Sequence, residues 1–433
     1  MRKTKYVFLF LYFVQFAANV TAVDVTKPIN SFGLEILKFV PPDTNVMISP
    51  FSICTAVAML NAGAAGDTKD QIDTAFGWSD GDDVSAEYKE LLEMVNGATS
   101  ENFILNSKNK MYVDLTFTPL QSYTDLLRDN FAATVEAVNF KNNDNSATVN
   151  LINTWVEQST NGKIKNMFSS LSNDVQAILI NTIYFKANWR FPFTSITQEE
   201  FYLDMNYAVK TDTMHIEENL DYFSNSDVEL IKFPYSSINS RLNLVVIKPK
   251  SRAGLSDVEK KIEYQFSEIK SWMDAAETKA LNVSMPKFQF ESKLDKLKYV
   301  LNEYFGVTDA FSPNKANFSG ISSTAGLFVS SIIHQSFVSV DENGTEAAAA
   351  TAIGMRGTSV QDPVEYQIVL INQPFMFIIC DETNGLILFS GRMVVPDQNV
   401  MSAKYLSAEY TGSAKVSTYG RLLVLSIICI LCI

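Results

Sequence analysis

The apolar positions of this chain change period several times, and each change marks an element. Over residues 27–40 the apolar side chains Phe32, Ile36 and Phe39 recur at helical spacing. Pro41 and Pro42 end that helix, because proline lacks the N–H that the next turn needs. Residues 45–53 lead from a short strand into a strongly apolar helix that runs from residue 51 to about residue 62. Its small residues Ala56, Ala58 and Ala62 let neighbours pack closely, which predicts a central position. Gly63, or Gly66 at the latest, stops it. Residues 79–95 predict a solvated helix with a charged face, and residues 145–168 keep a helical period that ends at Asn161 and Gly162.

Elsewhere the pattern is that of strands. Residues 178–183 are β-branched and nearly all apolar, which predicts a strand buried on both faces. Asn181 lies in that run and needs hydrogen-bond partners if buried. Further strands are predicted over residues 228–234, 242–248 and 282–291. Residues 375–395 predict two strands around the hairpin signal Asp381-Glu382-Thr383-Asn384-Gly385. Phe337-Val338-Ser339-Val340 reads as strand, and residues 341–344, with their Asn-Gly pair, as a turn.

After that turn the side chains shrink to Ala347, Ala348, Ala349, Ala350, Thr351 and Ala352. Alanine favours helix, but this run has no apolar stripe to bury, and Gly354 and Gly357 follow it. It therefore stands out as a loop. With period 2, Thr345, Ala347, Ala349 and Thr351 share one face, and Glu346, Ala348 and Ala350 the other. Composition alone leaves two readings open: a flexible alanine-rich linker, or a segment small enough to slide between two existing strands.

The run Glu342-Asn343-Gly344-Thr345-Glu346-Ala347-Ala348-Ala349-Ala350-Thr351-Ala352 resembles the hinge of the reactive-centre loop in inhibitory serpins. Other stretches resemble the same family in the same order: residues 45–53, residues 145–168, Val283-Ser284-Met285-Pro286-Lys287-Phe288, Phe375-Met376-Phe377-Ile378, and residues 385–392. The resemblance runs from about residue 27 to Pro396 and places one domain over residues 23–396. It implies an α+β serpin fold with three β-sheets, about nine helices and an exposed reactive-centre loop. It also implies a cluster of Ser49, Ser52, Asn181 and His334 that latches strands which must part, and an ion pair between Lys287 and Glu342 at the loop base. Hinge roles fall to Glu342, Gly344, Thr345, Glu346, Ala347, Ala348, Ala349, Ala350 and Thr351. Counting as the family's loops are counted puts the reactive bond at Thr358–Ser359, with Arg356–Gly357 as the alternative register; cleavage after Met355 is a third.

Insertion of a cleaved serpin loop into the main sheet is a documented case of strand addition. The implied function is therefore suicide inhibition of a serine protease, with no catalytic residue of the chain's own. A non-inhibitory serpin, a ligand carrier or storage protein, is the alternative. Bulky or charged residues at Thr345, Ala347 and Ala349 would have favoured it, and they are absent. A hydrolase is disfavoured, since there is no Gly-x-Ser-x-Gly elbow.

Charge and composition then narrow the partners. With 48 acidic against 35 basic residues the net charge is −13, which argues against nucleic acid and heparin-like polyanions. The helix over residues 79–95 carries Asp80, Asp82, Asp83, Glu87, Glu90 and Glu93 against one Lys89, where heparin-dependent serpins have a basic stripe. With only His215 and His334, no metal site and no cofactor are expected. The expected partner is a trypsin-like or elastase-like extracellular serine protease, met by a monomer.

The N-terminus has a basic start, Arg2-Lys3-Thr4-Lys5, an apolar run over residues 7–16 and small residues up to Ala22. This predicts a secretory signal peptide over residues 1–22 and an extracellular protein. Four cysteines, Cys54, Cys380, Cys429 and Cys432, make no disulfide scaffold, and the first two sit in apolar runs that predict buried free thiols. Residues 397–433 form a tail whose last twelve residues are mostly aliphatic and too few to span a bilayer. With Gly412-Ser413-Ala414 before them they partly fit a lipid-anchor signal; an uncleaved tail or a splice-variant ending are the alternatives. In the mature chain, after the predicted signal peptide, acceptor sequons for N-glycosylation stand at Asn282, Asn317 and Asn343, the last of them at the pivot of the hinge.

Overall fold

The structure is a computed structural model that describes residues 24–396, apart from 80–81, 98–102, 143, 237–241, 263–264 and 346–363. The predicted signal peptide, the hinge from Glu346 onward, all three candidate reactive bonds and the tail from residue 397 lie outside the described residues.

Helix α1 (Thr26–Glu35) runs into a short 3-10 turn (Ile36–Phe39), then strand β1 (Val46–Ile48) and helix α2 (Pro50–Gly63). Helices α3 (Asp67–Phe76) and α4 (Val84–Gly97) precede β2 (Phe103–Asp114), α5 (Gln121–Phe131), β3 (Thr134–Val138) and α6 (Ser146–Ser159). Strands β4 (Ala177–Asn188), β5 (Ser195–Tyr202), β6 (Ala208–Ser224), β7 (Val228–Pro234) and β8 (Leu242–Pro249) follow. Then come α7 (Leu255–Lys261), α8 (Phe266–Asp274), β9 (Glu277–Pro286), β10 (Phe288–Leu294) and α9 (Leu297–Glu303). The chain closes with β11 (Ser331–Asp341), β12 (Gly344–Thr345), β13 (Gln367–Leu370), β14 (Phe375–Asp381) and β15 (Leu386–Met393). Nine α-helices thus stand among the described residues.

The strands form a six-stranded sheet, ordered β10-β11-β12-β4-β2-β3, and a nine-stranded network, ordered β1-β15-β14-β8-β7-β6-β9-β13 with β5 on β6. Strand β6 ties two of the three expected sheets into that network. It is 17 residues long; its start pairs with β5, its middle with β9 and its last residues with β7. The single strand expected over residues 282–291 is two strands of different sheets. Pro286 ends β9, Lys287 donates its N–H to the Asp212 carbonyl, and β10 begins at Phe288.

Helix α2 is central because it is apolar on all sides: every residue but Ala62 is buried. Burying Phe51, Ile53, Val57, Met59 and Leu60 contributes roughly 1.5–3 kcal/mol each. Ser49 caps it by accepting the Ser52 N–H, and Pro50 supplies the preset first turn. At the far end a Cβ on Gly63 would lie 2.3 Å from Ile321, so the helix ends where the wall is closest. Strand β4 is buried on both faces, as its apolar run predicts. Leu179, Ile183 and Phe185 enter the main core, while Ile178 and Ile180 pack with Ile152 and Val156 of α6, which covers the other face. Helix α6 ends at Ser159, and Asn161 and Gly162 just past its cap both have positive φ. Cys54 and Cys380 are free and buried, and burial pushes both thiols to higher pKa.

One ion pair sits wholly inside. Arg392 donates to both oxygens of Glu259 at 2.7 and 2.9 Å and caps the end of the 3-10 turn through the Leu37 and Val40 carbonyls. Burial pushes the Glu259 carboxyl up, and the guanidinium beside it offsets part of that shift. Removing one partner leaves the other charge buried alone. Glu259→Leu should therefore destabilise the fold by about 3–5 kcal/mol, seen as a fall in the midpoint of thermal unfolding. A midpoint within a degree of wild type would show that Arg392 finds water or another acceptor.

Candidate functional site

The site is a seam in the six-stranded sheet. Strands β4 and β11 run parallel and pair directly from Ser331↔Ile178 to Ser336↔Ile183. Parallel neighbours need no tight turn between them, and here they come from parts of the chain 153 residues apart at the His334–Asn181 pair. Beyond Ser336 the two strands diverge, and the two residues of β12 lie between them. Gly344 and Thr345 pair with Asp341 and Val340 on one side and with Asn188 and Ala187 on the other. The seam is thus closed at one end and wedged open at the other by the start of the hinge.

At the closed end the structure brings Ser49, Ser52, Asn181 and His334 together. The Ser49 backbone N–H donates to Nε2 of His334 at 3.1 Å. That nitrogen is therefore the acceptor, and Nδ1–H of the neutral ring donates to Oδ1 of Asn181. The Asn181 amide donates to the Ser52 carbonyl at 3.0 Å, to the Ser52 hydroxyl, and to Oδ1 of Asn109 at 2.7 Å. Ser52 in turn shares a hydrogen bond of 2.7 Å with Ser107. Ser107 and Asn109 were not singled out from the sequence. Their signal is the period of β2, where they occupy the inward register of Phe103, Leu105 and Met111. A polar residue in an inward register needs a partner, and here it finds one.

At the open end the loop base is held by several independent bonds. Lys287 reaches Glu342 at 2.6 Å, and this hydrogen bond holds the Glu342 carboxyl below its usual range. The pair is about a third exposed, which limits it to roughly 1 kcal/mol. Asp341 accepts the backbone N–H groups of Asn343 and Gly344 at 2.8 and 3.2 Å, the side-chain turn that Asp-x-Asn-Gly favours. Burial nonetheless pushes the Asp341 carboxyl up. Trp189 donates its indole N–H to the Asp341 carbonyl and its backbone N–H to the Asn343 carbonyl, both at 2.9 Å. A Cβ on Gly344 would lie 2.1 Å from the Ala187 carbonyl oxygen, so only glycine fits there. Thr345 is buried, and its hydroxyl meets that of Tyr235 at 2.6 Å. Trp189 and Tyr235 carried no sequence motif; nothing in their neighbours' spacing pointed to the hinge.

The remaining predicted positions are dispersed. Asn317 is exposed, Asn343 is half-buried at the turn, and Asn282 is half-buried mid-sheet with its amide on Glu217 at 2.8 Å. His215 lies on the other sheet, where its ring meets Thr197 at 2.7 Å and Ser284 at 3.0 Å.

Fold and site together define a protein with a seam already admitting a further strand. The family model for serpins, described as serine protease inhibitors, matches residues 27–396. The chain is 34% identical over 369 residues to a "Serine protease inhibitor" of Cyanea capillata, covering 82% of this chain and 93% of that one. Among solved structures it is similar to Serpin48, titled a highly specific serpin of the insect Tenebrio molitor (30% identity, TM-score 0.75, 86% of this chain, 98% of that one). It is also similar to human thyroxine-binding globulin in complex with thyroxine (25% identity, TM-score 0.77, 86% and 99%). The chain belongs to the serpin family, whose members are generally protease inhibitors rather than enzymes.

Burial holds the His334 ring neutral by moving its pKa from 6.5 to about 3. Between those values the unfolded chain takes up a proton that the native ring refuses, so this group's contribution to stability falls as pH drops from about 6.5 towards 3. The slope reaches at most about 1.4 kcal/mol per pH unit. Unfolding midpoints recorded from pH 7 to pH 4.5 should therefore fall more steeply for wild type than for His334→Gln. Equal slopes would mean that His334 is protonated in the native state.

Proposed function

We propose that this serpin is an extracellular inhibitor of serine proteases that acts by suicide. The observation that carries the reading is the position of Gly344 and Thr345, already in register between β4 and β11. A protease attacks the loop beyond them with its serine hydroxyl. The peptide bond breaks, the amine leaves, and the loop's new C-terminal carbonyl stays on the enzyme as an ester. The freed strand then extends β12 along the seam, parting β4 from β11 residue by residue. Ser49, Ser52, Asn181 and His334 act as the latch that must yield, and Lys287 and Glu342 fix the loop base. The enzyme is carried with the loop before water can release it. The native state is metastable, with the free energy of insertion held behind a kinetic barrier.

The small residues Ala347, Ala348, Ala349 and Ala350 support the reading, since each adds little bulk to a closing sheet. The signal peptide predicted over residues 1–22 supports action outside the cell. The similarity to a thyroxine-binding globulin favours a second reading, a ligand carrier whose seam does not need to open. Cleaving the loop separates the two: an inhibitor gains thermal stability when nicked, and a carrier does not.

Two substitutions test the mechanism and its register. Thr345 is buried, so Thr345→Arg would place an unpaired charge in the sheet, costing several kcal/mol. Insertion slows and deacylation wins, so the number of inhibitor molecules consumed per enzyme inactivated should rise at least tenfold. An unchanged ratio would remove the hinge from the mechanism. Arg356→Ala separates the bonds Arg356–Gly357 and Thr358–Ser359. It should abolish inhibition of trypsin-like enzymes while sparing elastase-like ones if Arg356 is the residue read, and be nearly silent if Thr358 is. Equal loss against every protease would contradict both registers.

A further inference from the structure

Unlike the partly exposed Lys287–Glu342 pair, the bond between Thr345 and Tyr235 is buried, and its two partners come from different sheets. Thr345 is on the segment that moves. Tyr235 follows β7 of the nine-stranded network, outside the seam. Its backbone N–H donates to the Leu242 carbonyl at 3.0 Å. Its ring stacks on Trp189 with centroids 4.6 Å apart and planes 13° from parallel, and meets Phe185 edge-on at 5.3 Å. The phenol is therefore held by contacts that do not involve Thr345.

Both hydroxyls are buried, so each would be left unpaired without the other. Burial also raises the phenol pKa, so the proton stays on the ring oxygen and the bond persists across the physiological range. Trp189, on which the ring stacks, holds the two residues before the hinge strand through the Asp341 and Asn343 carbonyls. Tyr235 thus completes a clamp on both sides of Gly344.

We propose that Tyr235 is a positioning residue that keeps the first two hinge residues docked, so that the inserted strand is nucleated before any protease arrives. Starting a new strand fixes several backbone torsions for few hydrogen bonds, and each later residue adds its bonds to an existing end. With the start already made, only extension separates cleavage from trapping. The kinetic consequence rests on the inhibitor reading above; the docking itself does not.

The test uses Tyr235→Phe, which removes one oxygen and keeps the stacked ring, and Thr345→Val, which removes the hydroxyl from the other side. Hydrogen exchange followed by mass spectrometry is read over residues 340–345 and over residues 178–183 in the full-length protein. Each variant should exchange about three- to tenfold faster at 340–345, the range of one hydrogen bond, with 178–183 unchanged. The double variant should exchange no faster than the single ones, since both remove the same bond. With a protease that wild type inhibits, the rate of acylation should stay constant while the inhibitor consumed per enzyme rises about two- to fivefold.

Unchanged exchange at 340–345 in both variants would overturn the proposal. Faster exchange with an unchanged consumption ratio would overturn the kinetic role. A wild type that inhibits no serine protease, with faster exchange in the variants, would overturn the inhibitor reading while supporting the docking role of Tyr235.

Discussion

Where β4 and β11 touch directly, over six residue pairs, the main sheet is held by parallel backbone bonds and one buried polar cluster. Everything else in the molecule is arranged around that contact. Helix α2 lies behind it and supplies Ser49 and Ser52 from its first turn. Helix α6 covers its front, packing Ile152 and Val156 on Ile178, Ile180 and Ile333. Strand β2 sets Ser107 and Asn109 beneath it. Apolar side chains at the same place would give a seam that tolerates sliding. The polar cluster gives a seam whose bonds form in one register, because a shift of the strands separates buried donors from their acceptors.

The two ends of the seam differ in kind. The closed end is dry, and its histidine is held neutral by burial. The open end is tied by bonds of graded strength: a partly exposed ion pair at Lys287–Glu342, a side-chain turn at Asp341, and the buried clamp of Trp189 and Tyr235. Solvent screens the first and leaves the last untouched, so their strengths are graded by depth.

Much of this was legible in the sequence, and the reason is local. Helix α2 announces itself by Ser49, Pro50 and an unbroken apolar run, and Gly63 closes it. Strand β4 announces burial on both faces by carrying branched apolar residues at successive positions. The turn at residues 341–344 follows from Asp341 and the Asn-Gly pair alone. What escaped depends on contacts distant in sequence. The break between β9 and β10 turns on Pro286 passing from one sheet to another, which no periodicity records. The joining of two expected sheets follows from the length of β6. Tyr235 lies 110 residues before Thr345, and nothing around it distinguishes it from any other buried tyrosine.

Gly344 has a consequence for heredity. Its missing side chain is what lets the hinge backbone lie against the Ala187 carbonyl, whose oxygen an added Cβ would meet at 2.1 Å. Every missense change in a glycine codon adds a Cβ, so at this position there is no conservative allele. The sheet itself rejects each of them during folding, ahead of any encounter with an enzyme. The sequence that follows Thr345 is free of this constraint, while the step into the seam admits glycine alone.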